Sequence, residues 1–164
     1  KHDRRTDATG KEIFTIGDRF TPLFRSITIS LKPQTSYIWN RNMAVYRSAG
    51  KGYSYVGGEW NNGKINFTTR ELGDFTILTD SIAPEIRPLE VSSRRMRFKI
   101  SDNLSGIETY EATVNGQWLL MHIDVKSRTI WSQPLEKNEP IQGVFELVVT
   151  DNAGNKQIYK QNIL

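Results

Sequence analysis

Alternation between apolar and polar residues is the dominant pattern along this chain. Met96, Phe98 and Ile100 alternate with basic residues at 95, 97 and 99, which predicts a strand with one buried face and one charged face. No segment shows sustained helical periodicity. The alternation of residue types, together with the turn residues that bound it, predicts strands over residues 11–16, 23–31, 42–48, 53–56, 65–69, 74–79, 95–100, 107–114, 117–123, 129–132, 144–150 and 157–162.

Turn residues separate these runs at short intervals. Asn62-Gly63 and Asn115-Gly116 predict tight hairpins, because both positions of such a turn require positive backbone φ angles. Many short strands with frequent turns are typical of β-sandwiches. The predicted fold class is therefore all-β.

A proline-stiffened stretch near the middle of the chain predicts a boundary between two modules. The strand over 74–79 gives way to Asp80-Ser81, and Pro84 and Pro88 then restrict the backbone. We expect a flexible tail over 1–10, a first sandwich module over 11–80, a linker over 81–84 and a second sandwich module over 85–164.

Composition narrows the classes of function. The 164 residues include no cysteine and no long apolar run, which excludes thiol chemistry and a membrane-spanning helix within this sequence. Residues 1–83 hold 12 Lys and Arg against 8 Asp and Glu, a net charge of +4, whereas residues 84–164 hold 10 of each. A basic excess can indicate an anionic partner. These basic residues are scattered, so we interpret them as a solvated surface and expect no nucleic-acid partner.

Catalytic and metal-binding patterns are missing from the sequence. The two histidines, His2 and His122, lie 120 positions apart, and we expect His122 to be an ordinary histidine at a surface or core edge. Glu108 and Glu111 would face opposite sides of a strand, so they are poor partners for glycoside hydrolysis. The sequence predicts no catalytic residue, no metal site and no cofactor.

Two acidic turns leave an alternative open. Asp102 and Asp151 are each followed by Asn, and they could meet at one end of a sandwich and offer oxygen ligands to calcium. The simpler interpretation, which we prefer, is that each side chain caps its own turn.

Aromatic residues cluster around turns of the first module, with asparagines nearby. Aromatic rings with amide donors suit sugar rings, and a basic surface would suit an anionic glycan. Such aromatics also commonly fill or cap a small core, and that interpretation is favoured. The candidate ligand-binding residues are Trp39, Tyr53, Tyr55 and Trp60.

An ordered set of short segments resembles a known family. The set comprises Gly73-Asp74-Phe75-Thr76, Asp80, Pro84, Ser105-Gly106-Ile107, Tyr110, Asn115-Gly116 with Trp118, and Asp151 to Asn155. The second module resembles the immunoglobulin-like domains of bacterial cell-surface proteins. More closely, residues 20–160 resemble the C-terminal region of lysostaphin-like zinc endopeptidases of Bacteroidetes.

This resemblance implies two tandem immunoglobulin-like or fibronectin-like sandwiches in an exported protein of the periplasm or cell surface. The zinc ligands of such peptidases, two His and an Asp, have no counterpart here. The implied role is a non-catalytic accessory region of a cell-wall peptidase, with an upstream catalytic domain and a cell-wall glycan as partners. The alternative is a carbohydrate-binding or adhesion module of a bacterial surface protein.

Overall fold

The computed structural model describes residues 2–34, 40–132 and 140–164. Within these ranges the protein consists of sixteen β-strands and contains no helix, which confirms the all-β prediction. The chain divides into two compact units, Lys1–Ser81 and Ile82–Leu164. The finer expectation, that the two sandwiches are immunoglobulin-like or fibronectin-like, stays a prediction.

The first unit contains a five-stranded sheet and a three-stranded sheet. Its strands are β1 (His2–Thr6), β2 (Glu12–Ile16), β3 (Ile27–Leu31), β4 (Met43–Ala49), β5 (Gly52–Gly57), β6 (Glu59–Asn61), β7 (Lys64–Thr69) and β8 (Gly73–Thr79). The larger sheet has the order β1-β2-β8-β4-β5 and the smaller sheet the order β3-β7-β6, with antiparallel pairing throughout.

The core of the first unit is formed by alternate residues of these strands. Phe75 of β8 is fully buried, is the cross-strand partner of Phe14, and packs against Phe67 with ring centroids 5.2 Å apart. Because side chains alternate along a strand, this leaves the opposite face of the five-stranded sheet for other side chains. The candidate site lies on that sheet.

The second unit contains two four-stranded sheets. Its strands are β9 (Glu85–Val91), β10 (Met96–Ser101), β11 (Ile107–Val114), β12 (Gln117–Leu119), β13 (Met121–Asp124), β14 (Thr129–Ser132), β15 (Gly143–Asp151) and β16 (Lys156–Ile163). One sheet has the order β13-β14-β10-β9 and the other the order β12-β11-β15-β16.

Strand β10 has the burial that its sequence pattern predicts. Met96, Phe98 and Ile100 are at most 1% exposed, whereas the basic residues between them lie at the surface. The ring of Phe98 stacks on Phe145 with centroids 5.5 Å apart and meets the ring of Tyr159 edge-on at 5.0 Å. This aromatic cluster forms part of the core of the second unit.

Both predicted hairpins are confirmed. Asn62 and Gly63 have φ angles of 49° and 72°, and Asn115 and Gly116 have φ angles of 50° and 78°. Positive φ at both central residues gives a turn whose twist matches that of the flanking strands. Asn115 also accepts a hydrogen bond from the backbone N–H of Val144 at 2.9 Å, which ties the turn to β15.

Two predictions from the pattern are wrong. Residues 1–10 were expected to form a flexible tail, but His2–Thr6 form the edge strand β1, because ladder hydrogen bonds join backbones and need no apolar side chains. Residues 117–123 were expected to form one strand. They form β12 and β13 in different sheets, because the chain crosses between the sheets at Leu120.

Candidate functional site

Two of the predicted binding residues lie side by side on β5 of the first unit. Tyr53 and Tyr55 are two positions apart and therefore share one face of the strand. Tyr53 is 38% exposed, and Tyr55 is half-buried. We call Tyr53, Tyr55 and the neighbouring Lys11 the tyrosine strip.

Contacts within the sheet hold the rings of the tyrosine strip in place. The ammonium group of Lys11 donates a hydrogen bond to the Tyr53 hydroxyl at 3.0 Å and lies 4.9 Å from the ring centroid. Tyr55 meets Tyr46, its cross-strand partner, edge-on at 5.5 Å, and Tyr46 is fully buried. The strip is thus a fixed aromatic surface with a cationic edge.

The other two predicted residues do not join this strip in the described structure. Trp39 lies outside the described residues. Trp60 lies on β6 of the smaller sheet and packs, half-buried, against the core cluster of the first unit. For Trp60 the structure therefore favours the core-filling interpretation over the sugar-binding one.

A cleft of about 320 Å³ opens in the first unit where β2 ends and β8 begins. We refer to it as the first-unit cleft. Its volume is near the lower end of the range for small-molecule sites, about 300–1,000 Å³. The residues that line it are Thr15, Gly17, Asp18, Arg19, Phe20, Arg47, Ser48, Gly73 and Asp74.

Two glycines allow the segment after β2 to approach β8 closely and form one wall of the cleft. Gly17 has a φ of 64°, and a Cβ there would lie 2.8 Å from a methyl group of Leu72. Gly73 has a φ of 125°, and a Cβ there would lie 3.2 Å from the Cβ of Arg19. Side chains at these positions would strain the backbone and push the wall away.

Asp74 lies at the centre of a polar network in the cleft. Its carboxylate accepts hydrogen bonds from the Thr15 hydroxyl at 2.6 Å and from the Arg5 guanidinium at 2.7 Å. The hydrogen bond from Thr15, with help from Arg5 and from the charge of Arg19, holds the pKa of Asp74 below its ordinary value despite partial desolvation. Asp74 is therefore ionised at neutral pH.

The remaining charged groups of the cleft are also held by neighbours. Arg47 donates from Nη2 to the Glu71 carboxylate at 2.7 Å, and its side chain is only 19% exposed. Asp18 accepts a hydrogen bond from the backbone N–H of Phe20 at 3.1 Å. The Arg19 guanidinium lies 4.6 Å from the centroid of the Phe20 ring, which is 77% exposed.

Ser48 joins the cleft to the tyrosine strip. It lines the cleft and is the cross-strand partner of Tyr53. Directly opposed residues of an antiparallel pair project from the same face about 5 Å apart. The cleft and the strip therefore form one continuous surface on the five-stranded sheet.

Sequence reasoning missed the residues of the cleft. The available signal was Phe20, an aromatic residue in the polar segment Gly17-Asp18-Arg19 that follows a predicted strand. Phe20 lies outside every alternating run, so no predicted strand would place its ring in a core. The partners of Asp74 could not have been found in this way, since Arg5 is 69 residues distant in sequence.

The two acidic turns of the second unit have the geometry of turn caps. Asp102 accepts backbone hydrogen bonds from Leu104 at 2.9 Å and Gly106 at 2.8 Å. The buried carboxylate of Asp151 accepts the backbone N–H and the side-chain amide of Asn155, both at 2.8 Å. A carboxylate oxygen of Asp102 lies within 4.8 Å of one of Asp151, so the two turns do meet. Calcium binding there stays the less favoured alternative to the turn-cap interpretation.

The two histidines differ in their surroundings, and Nε2 of His122 is buried without a hydrogen-bond partner in the part of the chain that the structure describes. His2 is exposed on β1. His122 lies half-buried on β13, opposite Trp131, and the two rings stack with centroids 5.7 Å apart. This agrees with the expectation that His122 is a histidine at the edge of the core.

Comparison with known proteins gives a partial match. The model of the Zu5-like domain family matches residues 2–80, which is just under half of the chain and falls within the first unit. No curated protein matches the chain. The described residues contain no helix of the length and apolar character that crossing a membrane requires.

Two solved structures of an expansin from Clavibacter michiganensis align with the chain. The apo structure is 18% identical, and a point mutant in complex with cellohexaose is 17% identical. Each alignment covers 75% of this chain and 68% of the other, with a TM-score of 0.37. Likeness at this level supports no inference about fold or function.

Proposed function

We propose that this chain is a non-catalytic carbohydrate-binding module whose binding surface lies on the five-stranded sheet of the first unit. The observation that carries the proposal is the continuity of the tyrosine strip with the first-unit cleft through Ser48. Flat aromatic rings beside a groove rich in hydrogen-bonding side chains suit sugars, which present apolar ring faces and polar edges.

The rigidity of this surface supports a binding role. Tyr53 is fixed by Lys11, and Tyr55 is fixed by the buried Tyr46. A surface that is ordered before its ligand arrives loses less conformational entropy on binding. Aromatic side chains that are both exposed and held in place are accordingly good candidates for ligand contacts.

The role as an accessory region of a cell-wall peptidase remains a second hypothesis. It rests on the resemblance of the ordered segments between Gly73 and Asn155, and the comparisons add nothing to it. A carbohydrate-binding surface would serve that role as well, because an accessory module can hold a catalytic domain at its polymer.

Sedimentation of the whole 164-residue chain with insoluble chitin, cellulose and purified peptidoglycan tests the proposal. We expect the chain to bind at least one of these polymers. Replacing Tyr53 by Ala should lower the bound fraction, because the ring that faces solvent is removed. Trp118→Ala is the matched control, since Trp118 is an exposed aromatic on the second unit, at 63% exposure. Failure to bind any of the three polymers would contradict the proposal.

A further inference from the structure

We infer that the first-unit cleft binds a neutral glycan, with one sugar unit held between the polar wall of the cleft and the ring of Phe20. This inference rests on the proposed function and specifies its ligand class. The net positive charge of the first half of the chain would suggest the opposite, an anionic glycan. The charges within the cleft argue against that.

The charged side chains that line the cleft sum to zero. They are two arginines, Arg19 and Arg47, and two aspartates, Asp18 and Asp74. The partners just outside the lining are Arg5, paired with Asp74, and Glu71, paired with Arg47, and these also cancel. An anionic ligand would therefore meet two fixed carboxylates and two arginines that already contact acidic or aromatic groups.

The basic excess of this unit does not line the cleft, although Lys11 gives the adjoining tyrosine strip one positive charge, held against the hydroxyl and ring of Tyr53. Arg41, Lys51, Lys64 and Arg70 are exposed and do not line the cleft. Exposed charges that are spread over a surface are screened by salt and form no single anion site. The net charge thus describes the surface of the unit and not the chemistry of the cleft.

The hydrogen-bonding capacity left in the cleft matches a polyol. Oδ1 of Asp74 accepts one hydrogen bond from Thr15, and Oδ2 accepts one from Arg5. A carboxylate offers about four acceptor positions in total, so two of them are left for a ligand. Each arginine carries five N–H donors; Arg47 uses one of them on Glu71 and has a second, on Nε, buried without a partner among the described residues. Ser48 can both donate and accept. Acceptors and donors side by side suit adjacent hydroxyl groups, which both donate and accept.

Phe20 supplies an apolar platform at the rim of the cleft. The Arg19 guanidinium lies over one face of the ring, 4.6 Å from its centroid, and the ring is nevertheless 77% exposed. The opposite face is available to stack on the C–H groups of a sugar. The cavity of about 320 Å³ has room for a small ligand unit.

Binding of the whole chain to immobilised oligosaccharides at 50 and 500 mM NaCl tests this inference. The neutral probes are cello-, chito-, xylo- and mannohexaose, and the carboxylated probes are oligogalacturonate and oligoalginate. We expect binding to a neutral probe, with less than about a twofold change in Kd between the two salt concentrations, because a neutral ligand has no net charge to screen.

Two variants locate the site. Phe20→Ala should weaken binding of the neutral probe about three- to tenfold, as expected for the loss of one aromatic contact. Phe24→Ala is the matched control, because Phe24 is 95% exposed, lies four residues further along and does not line the cleft. We expect no change in Kd for this control.

The outcomes separate the inference from the proposed function. Binding only to carboxylated probes, with a steep loss of affinity at high salt, would overturn the neutral ligand class and leave carbohydrate binding intact. Neutral binding that Phe20→Ala does not weaken would overturn the placement in the cleft. No binding to any probe would overturn the proposed function itself.

Discussion

The two units use polar side chains near their strand ends for different purposes. In the second unit, Asp102 and Asp151 accept hydrogen bonds from the backbone of their own turns, and Asn115 ties its hairpin to β15. In the first unit, Asp74 binds side chains from other strands and lines an open cleft. Polar groups that satisfy only local backbone serve folding, whereas polar groups that line open space, as Asp74 does and as Asp102 does in part, are available to a ligand.

The cavities of the two units differ in the balance of their linings. The second unit has a cavity of about 390 Å³ lined by the apolar or aromatic residues Ile100, Ile107, Tyr110, Ile123 and Val125, and also by Ser101, Asp102, Gly106, Glu108 and Arg128. The first-unit cleft contains four charged side chains that compensate one another. Size alone would favour the second unit as the binding unit. The first-unit cleft adjoins the tyrosine strip, and we therefore place the proposed sugar there.

The largest effect that we predict concerns the core of the second unit. Phe98→Ala should destabilise this unit by about 3–5 kcal/mol, because it leaves a cavity beside Phe145 and Tyr159. Urea unfolding measures the change. Glycan binding by the remaining folded protein should be unaffected. A cost below about 1 kcal/mol would show that the aromatic cluster is not the tightly packed core described here.

A glycine at the wall of the cleft should affect stability and binding together. Gly17→Ala introduces a Cβ at a positive φ and 2.8 Å from Leu72, and we expect a loss of about 1–2 kcal/mol with weaker glycan binding. Gly154→Ala is the control in the second unit, because its φ is 83° and a Cβ there meets nothing within 4 Å. It should lower stability by backbone strain alone. Equal effects of both variants on binding would contradict the role of Gly17.

The smallest predicted effect is the pH dependence of the Asp74 network. The folded-state pKa of Asp74 is lowered, so its contribution to stability is present above the unfolded pKa, about 3.9, and is lost as pH falls through the folded pKa. Asp74→Asn should cost about 0.2–1 kcal/mol at pH 7, the range for partly exposed ion pairs. The difference from the native protein should shrink below about pH 4. Urea midpoints of both proteins between pH 7 and pH 2.5 measure this difference in stability. A difference that persists unchanged at pH 2.5 would show that it does not come from the ionised carboxylate of Asp74.

The fold could be predicted from the sequence where local sequence patterns determine the structure. Alternation at β10 and the two Asn-Gly turns correctly located strands and hairpins, since side-chain period and φ requirements are local. Strand β1 was missed, because an edge strand of charged residues has no apolar alternation. The split between β12 and β13 was missed, because the apolar run through Leu120 hides a crossing between sheets.

The candidate site was predictable only in part. Tyr53 and Tyr55 became candidates because aromatic residues near turns stand out in the sequence, and their role in binding stays a prediction. The cleft brings together Thr15, Arg47 and Asp74 from three strands. Their proximity depends on the order of the strands in the sheet, which local sequence patterns do not determine. Trp60 has a sequence context like that of the two tyrosines, but its ring packs against the core of the first unit. The sequence alone therefore did not separate a core aromatic from an exposed one.

A titration of the ¹⁵N-labelled chain with the neutral hexasaccharide that binds best, followed by NMR, tests whether the first-unit cleft and the tyrosine strip form the binding surface. We expect shifts of backbone amides in Gly17–Phe20, Ser48, Tyr53 and Gly73–Asp74, with the amides of the second unit unchanged. Shifts concentrated around Ile107–Tyr110 and Arg128, which line the cavity of the second unit, would place the ligand there and contradict the proposed binding surface.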